Sequence, residues 1–303
     1  MICSVKKGFS ICLIAVLILN LNICTKALGN KNNNVIKQDL LCLMLAYPEY
    51  ITGLEVKEDG LVYIKMKSGK HILYDDKRVK SIEEKINNAD LQDAMEQIYP
   101  LSFPSGLADK NYDPGRYRNY ELLKEVYGGT KGSVESNLKN VNAGLQFNGS
   151  NNAAKELSAA IREATAMSIG NDNIRRALFP SRGTFNYRNI SGTNRLSPHA
   201  FGIAIDLASS KFDYWKWASV KDGEKRLLTY PRELVEVFEK HNFIWGGKWN
   251  HFDILHFEYR PEIILKARYF STNIEENDVW YKEIPLDSSQ VKEKIENINK
   301  EIK

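Results

Sequence analysis

Cysteine is almost missing from the body of this chain: of four among 303 residues, Cys3, Cys12 and Cys24 fall at the start and only Cys42 lies beyond them. A single thiol builds neither an internal disulfide nor a cysteine zinc site. Charge of one sign is also lacking, since 42 basic side chains face 38 acidic ones and leave a formal net charge of +4. With no basic run and no nucleic-acid motif, that balance excludes a nucleic-acid partner and leaves a mild preference for polyanionic surfaces. Long apolar runs are absent except from Gly8 to Ile23, which Asn20 and Asn22 interrupt and which falls short of the roughly 20 residues a membrane span needs. Lys6 and Lys7 precede this run, and Thr25, Lys26 and Ala27 follow it with the small residues a signal peptidase reads. Residues 1–27 are therefore expected to be an export signal, giving a secreted chain with no stable membrane insertion after cleavage. Ile23 is too bulky before Cys24 for a lipoprotein site. There is no internal repeat and no low-complexity linker, so about 275 mature residues must be held by their own core, as one large domain or two small ones.

The pattern along the chain predicts an α+β protein with a small, largely antiparallel sheet and packed helices. Leu40, Leu41, Met44 and Leu45 give a helix over 35–47 that stops at Pro48. Residues 61–66 and 71–74 flank Lys67, Ser68, Gly69 and Lys70 as a hairpin. Ser81 and Glu84 form a capping box, a second helical stretch runs through Leu91, Met95 and Ile98, and Pro114 with Gly115 marks a turn over 112–116. Helices are expected near 117–127, 133–141 and 153–168, with another opened by Pro231. Past Pro285, Val291, Ile295, Ile298 and Ile302 share one stripe of a helical tail that docks on the body or on a partner. The expected organisation is an N-terminal α+β segment at 28–150, a catalytic region at 151–285 and a tail at 286–303.

Three of the five histidines fall in two strings, SPHAFGIAIDL (197–207) and HFDILHFEY (251–259). His199, Asp206 and His256 read as a mononuclear zinc site, because zinc in hydrolases takes three nitrogen or oxygen ligands and leaves a fourth position for water. Asp253 is then a carboxylate free to act as general base. From Gly202 to Leu207 the residues alternate: Ile203, Ile205 and Leu207 on one strand face, Gly202, Ala204 and Asp206 on the other. A fully extended 199–206 segment would hold its ligands roughly 23 Å apart, so the chain must bend, and Gly202 is the place. His256 and Glu258 share one face of a second strand, with Leu255, Phe257 and Tyr259 on the other. Asp253 falls off the His256 face, which predicts a bulge or a strand start between 253 and 255.

The arrangement Ser197, His199, Gly202, Ala204, Asp206, then Asp253, His256 and Phe257, resembles the D-alanyl-D-alanine carboxypeptidase (VanY-like) family of zinc peptidases over roughly residues 180–262. The resemblance implies zinc held by His199, Asp206 and His256, Asp253 as catalytic base, and an upstream arginine stabilising the oxyanion. Arg188 in GTFNYRNI is similar to that arginine, and Arg195 is closer to His199. Aspartate in place of glutamate as base resembles the branch that also contains cell-wall endopeptidases. The implied substrate is the stem peptide of peptidoglycan, cleaved at D-alanyl-D-alanine or, alternatively, at L-alanyl-D-glutamate. A non-catalytic wall-binding protein is a further alternative, against which an intact base and ligand set argue.

Not every candidate carries chemistry. His71, in a hairpin, and His241, at a helix end, read as surface or hydrogen-bonded residues. His251 either meets substrate or supports its loop, and Ser197 and Arg195 are further candidates for substrate contact. A serine nucleophile is disfavoured, since no Gly-x-Ser-x-Gly elbow is present.

Overall fold

A computed structural model describes residues 33–141, 144–272 and 278–302; the expected export signal lies outside them. Helix α1 (33–46) opens the described chain. Strands β1 (Ile51–Val56), β2 (Val62–Met66) and β3 (His71–Leu73) follow, then α2 (Ile82–Asn88), α3 (Leu91–Met95), α4 (Tyr120–Tyr127) and α5 (Lys131–Asn137). Next come β4 (Leu138–Val141), β5 (Leu145–Asn148), α6 (Ala153–Ser168), α7 (Asp172–Leu178), β6 (Ala204–Asp206), α8 (Val220–Leu228) and α9 (Arg232–Lys240). The order ends with β7 (Phe243–Trp245), β8 (His256–Tyr259), α10 (Pro261–Tyr269) and α11 (Ser289–Glu301). The strands form three small sheets, β1-β2-β3, β4-β5 and β6-β8-β7, all antiparallel, so the α+β expectation holds. Among the described residues no helix is long and apolar enough to cross a membrane.

The sheet that carries Asp206 and His256 is β6-β8-β7, and its two faces differ. Phe257 and Tyr259 leave β8 on one side and meet an aromatic core, with Phe257 4.4 Å from the Phe238 ring of α9 and Phe243 5.3 Å from Tyr259. Burying each such ring contributes about 1.5–3 kcal/mol, which anchors the strand. α9 covers this side because Leu234, Val235 and Phe238 recur at helical spacing, and α6 joins it through Leu157, Ala160, Ile161 and Ala164. Pro231 begins α9 as expected. The core continues without a break from Ile36 in α1 to Ile302 beyond α11.

Two sequence expectations fail in detail. The helix expected over 133–141 stops at Asn137, and Leu138–Val141 instead pairs with Leu145–Asn148 as a hairpin. Both strands are four residues long and half polar, too short to alternate visibly, and they are held by burial of Val141 and Phe147. The helix through Leu91 and Met95 ends at Met95, before Ile98. The tail behaves as one of the two expectations had it: α11 docks on the body, burying Ile295 and Ile298, while Asn299 accepts a hydrogen bond from Trp280.

Gly202 is the bend. It ends the turn Pro198–Phe201 at φ +66°, in the left-handed region, and a Cβ there would lie 3.0 Å from Leu138 Cδ2 and 3.2 Å from Asn148 N. Gly202→Ala is therefore expected to destabilise the fold by about 1–3 kcal/mol, from backbone strain and the Asn148 backbone contact together. Urea unfolding of the variant checks this; an unchanged midpoint would mean that the bend tolerates a side chain.

Candidate metal centre

Register builds the site. In the β6-β8 pairing Asp206 lies directly opposite His256 and Ala204 opposite Glu258, so these four residues share one face. The turn Pro198–Phe201 then folds His199 back over the end of β6. Three donor atoms converge: His199 Nε2 is 3.2 Å and His256 Nδ1 3.0 Å from Asp206 Oδ1, and all three lie within 4.8 Å of one another. A tetrahedral zinc with bonds of about 2.1 Å places its ligand atoms about 3.4 Å apart, so the donor set fits this metal in kind and spacing. A second acidic group, Asp75, Asp76 and Asp90, is instead bridged by Lys80, whose ammonium lies 3.1 Å from Asp76 and 2.6 Å from Asp90.

The residues around the donors fix which nitrogen each imidazole presents. His199 Nδ1 donates to the Thr184 carbonyl at 2.5 Å, which leaves Nε2 for a metal. His256 uses the opposite atom, with Nδ1 toward Asp206 and Nε2 3.8 Å from Glu258 Oε2. Glu258 is wholly buried and held by Arg118 through three hydrogen bonds of 2.6–3.1 Å, with Arg260 3.4 Å away. Burial alone would raise the Glu258 pKa, but the Arg118 charge and hydrogen bonds outweigh it and hold the carboxyl well below the usual range. Burial opposes ionisation of Asp206 too, and there the hydrogen bonds from His199 and His256 keep it ionised to very low pH.

Asp253 stands just before β8, which starts at His256, so the irregularity expected between 253 and 255 is a strand start. Its backbone N–H donates to Gly246 O at 3.0 Å and it bridges to Tyr214. A Cβ at Gly246 would meet Asp253 O at 2.5 Å, so only glycine allows this approach. No described residue donates to the Asp253 carboxylate, and burial pushes its pKa up to about 6. A desolvated, unpaired carboxylate near two imidazoles is poised to take a proton near neutrality.

The remaining candidates fall out differently. Ser197 is buried, and its Oγ accepts from His199 N at 3.3 Å: it caps the turn, and nothing in its surroundings suggests a substrate contact. Arg188 is exposed and donates to Asn189 O, and Arg195 donates to Ile86 O at the end of α2, so neither is bonded to the donor cluster. His251 is tied to Asp113, at 2.6 Å from Nδ1 to Oδ2. His71 pairs with Glu55 and His241 with Glu156, as structural histidines do. Thr184, Arg118 and Asp113 were not singled out from the sequence. Only Glu258 had a signal, its shared face with His256.

No curated protein and no solved structure matches the chain. Residues 191–259 match the sequence model of the family described as D-alanyl-D-alanine carboxypeptidase, and the matched segment contains His199, Asp206, Asp253 and His256.

Proposed function

We propose that this chain is a secreted, zinc-dependent peptidase that hydrolyses peptidoglycan stem peptides, with the D-alanyl-D-alanine bond as its leading target. The observation that carries this reading is the convergence of His199 Nε2, Asp206 Oδ1 and His256 Nδ1 beside an unpaired, desolvated Asp253. When bound, zinc would supply a water of lowered pKa and polarise the scissile carbonyl. Asp253 takes a proton from the attacking water and returns it to the leaving amine. The Thr184 carbonyl holds the His199 imidazole in the tautomer that ligation through Nε2 requires, and the Glu258 carboxylate lies 3.8 Å from His256 Nε2, on the side away from Asp206. Arg188, exposed on the segment that leads into His199, is the candidate for meeting the developing oxyanion, with Arg195 as the alternative. In this reading the catalytic region is 151–285, and Arg118 from the N-terminal side braces it through Glu258. The L-alanyl-D-glutamate endopeptidase is the second reading, because the base is aspartate.

Metal analysis tests the ligand set. The wild-type chain should carry one zinc, and His256→Ala should lose most of it, with Asp206→Asn weakened as an anionic ligand is removed. Full zinc occupancy in His256→Ala would remove that residue from the set.

A further inference from the structure

A stem-peptide peptidase must recognise an anionic substrate, and one arginine cannot readily serve both a carboxylate and the oxyanion. Arg188 and Arg195 lie on one segment, and Arg195 is already engaged by Ile86 O. A third arginine comes from outside the matched segment. The turn 112–116 is stitched to the stretch just before Asp253: Trp249 Nε1 donates to Pro114 O at 2.8 Å, Asn250 N to Tyr112 O at 2.8 Å and His251 N to Asp113 Oδ1 at 2.9 Å. This docking carries Arg116 to the Trp249 ring, with Cζ 5.8 Å from the ring centroid, and the His256 ring lies 5.8 Å from the same tryptophan.

Asp113, almost wholly buried, organises the group. Its Oδ2 accepts from Arg116 Nη1 at 3.0 Å and meets His251 Nδ1 at 2.6 Å. Only Nη1 of Arg116 is used; no described residue accepts from its Nε or Nη2, and a quarter of the side chain remains accessible. His251 likewise has no partner for Nε2 among the described residues and is 26% exposed, with Trp215 edge-on at 4.6 Å. Lys216 adds positive charge on this rim, 5.4 Å from the Trp215 ring. A half-free guanidinium beside an imidazole, fixed on one anchor and walled by tryptophans, has the shape and charge that bind a carboxylate through two hydrogen bonds.

We propose that Arg116 and His251, both tied to Asp113, form a carboxylate-recognition subsite beside the metal centre, which takes a free carboxylate of an acidic peptide substrate. It rests on the peptidase reading above. The carboxylate is either the C-terminal one of D-alanine or that of D-glutamate within the stem, and the test separates the two sources.

The test measures binding by calorimetry, using the full zinc-loaded chain carrying Asp253→Asn so that peptide is not consumed. Three stem pentapeptides serve as probes: one with all carboxylates free, one amidated at the C-terminus and one with D-isoglutamine in place of D-glutamate. One amidation should weaken binding by about tenfold or more, the worth of a charge-assisted hydrogen bond, and so identify the source. Arg116→Ala should erase that gap, and Arg116→Lys should restore part of it, since a point charge lacks the fork. If Arg116→Ala fails to fold, Arg116→Lys and His251→Gln carry the comparison, each expected to narrow the gap. A gap that persists undiminished in the folded variants, or no gap before Arg116 or His251 is changed, overturns the subsite and leaves the peptidase reading standing. Failure of all three peptides to bind overturns both.

Discussion

Asp253→Asn should keep zinc and fold while losing about 10²- to 10⁴-fold in turnover, the usual worth of a general base. The expectation follows from position and environment together. The carboxylate is pinned through its own backbone to Gly246 O and receives no hydrogen bond from any described residue, so removing its charge disturbs no packed network. Because burial pushes its pKa up to about 6 and a base must be ionised to act, kcat/KM should fall as pH drops through an acid limb. Zinc's charge favours the carboxylate form, so with metal bound that limb is expected at or below about 6. A near-wild-type rate in Asp253→Asn would transfer the role to another group, and His251→Ala would then be the damaging change.

Arg118→Met should destabilise the protein by about 3 kcal/mol or more, since removing one partner of a buried ion pair typically costs 3–5 kcal/mol. Glu258 has no exposure, and Arg260 at 3.4 Å is its only other guanidinium among the described residues. The sign of the pH dependence follows from the depressed Glu258 pKa. Its contribution to stability is fully present above the unfolded value of about 4.3 and is lost as pH falls below it, so the variant should also lose part of this acid sensitivity. Denaturant unfolding at several pH values measures both effects. Since Glu258 faces His256 Nε2, Arg118→Met should further weaken zinc binding, and an unchanged zinc affinity would separate the ion pair from the metal centre.

The donor set was legible because its chemistry is written in short-range order. Alternation from Gly202 to Leu207 put Asp206 on the face opposite Ile203, Ile205 and Leu207, the missing Cβ of Gly202 marked the bend, and the misfit of Asp253 with the His256 face foretold a bulge or a strand start. On the same face Ala204 lies opposite Glu258, the carboxylate that Arg118 holds. What sequence alone left open depends on contacts between distant segments. Arg118 reaches Glu258 across 140 positions, and Asp113 reaches His251 across 138. Neither arginine nor aspartate has a periodic or spacing signal, because the partner is set by how the turn 112–116 docks on the β7-β8 connection. The β4-β5 hairpin was missed for the opposite reason: four-residue strands are too short for a period of two to stand out.

The most direct test is the mass of the products when a purified stem pentapeptide is incubated with the zinc-loaded chain. The account predicts a zinc-dependent product lighter by one alanine, abolished by chelation and restored by added zinc. Scission after the first alanine would shift the reading to the L-alanyl-D-glutamate endopeptidase, and an intact peptide in the presence of stoichiometric zinc would contradict the peptidase altogether.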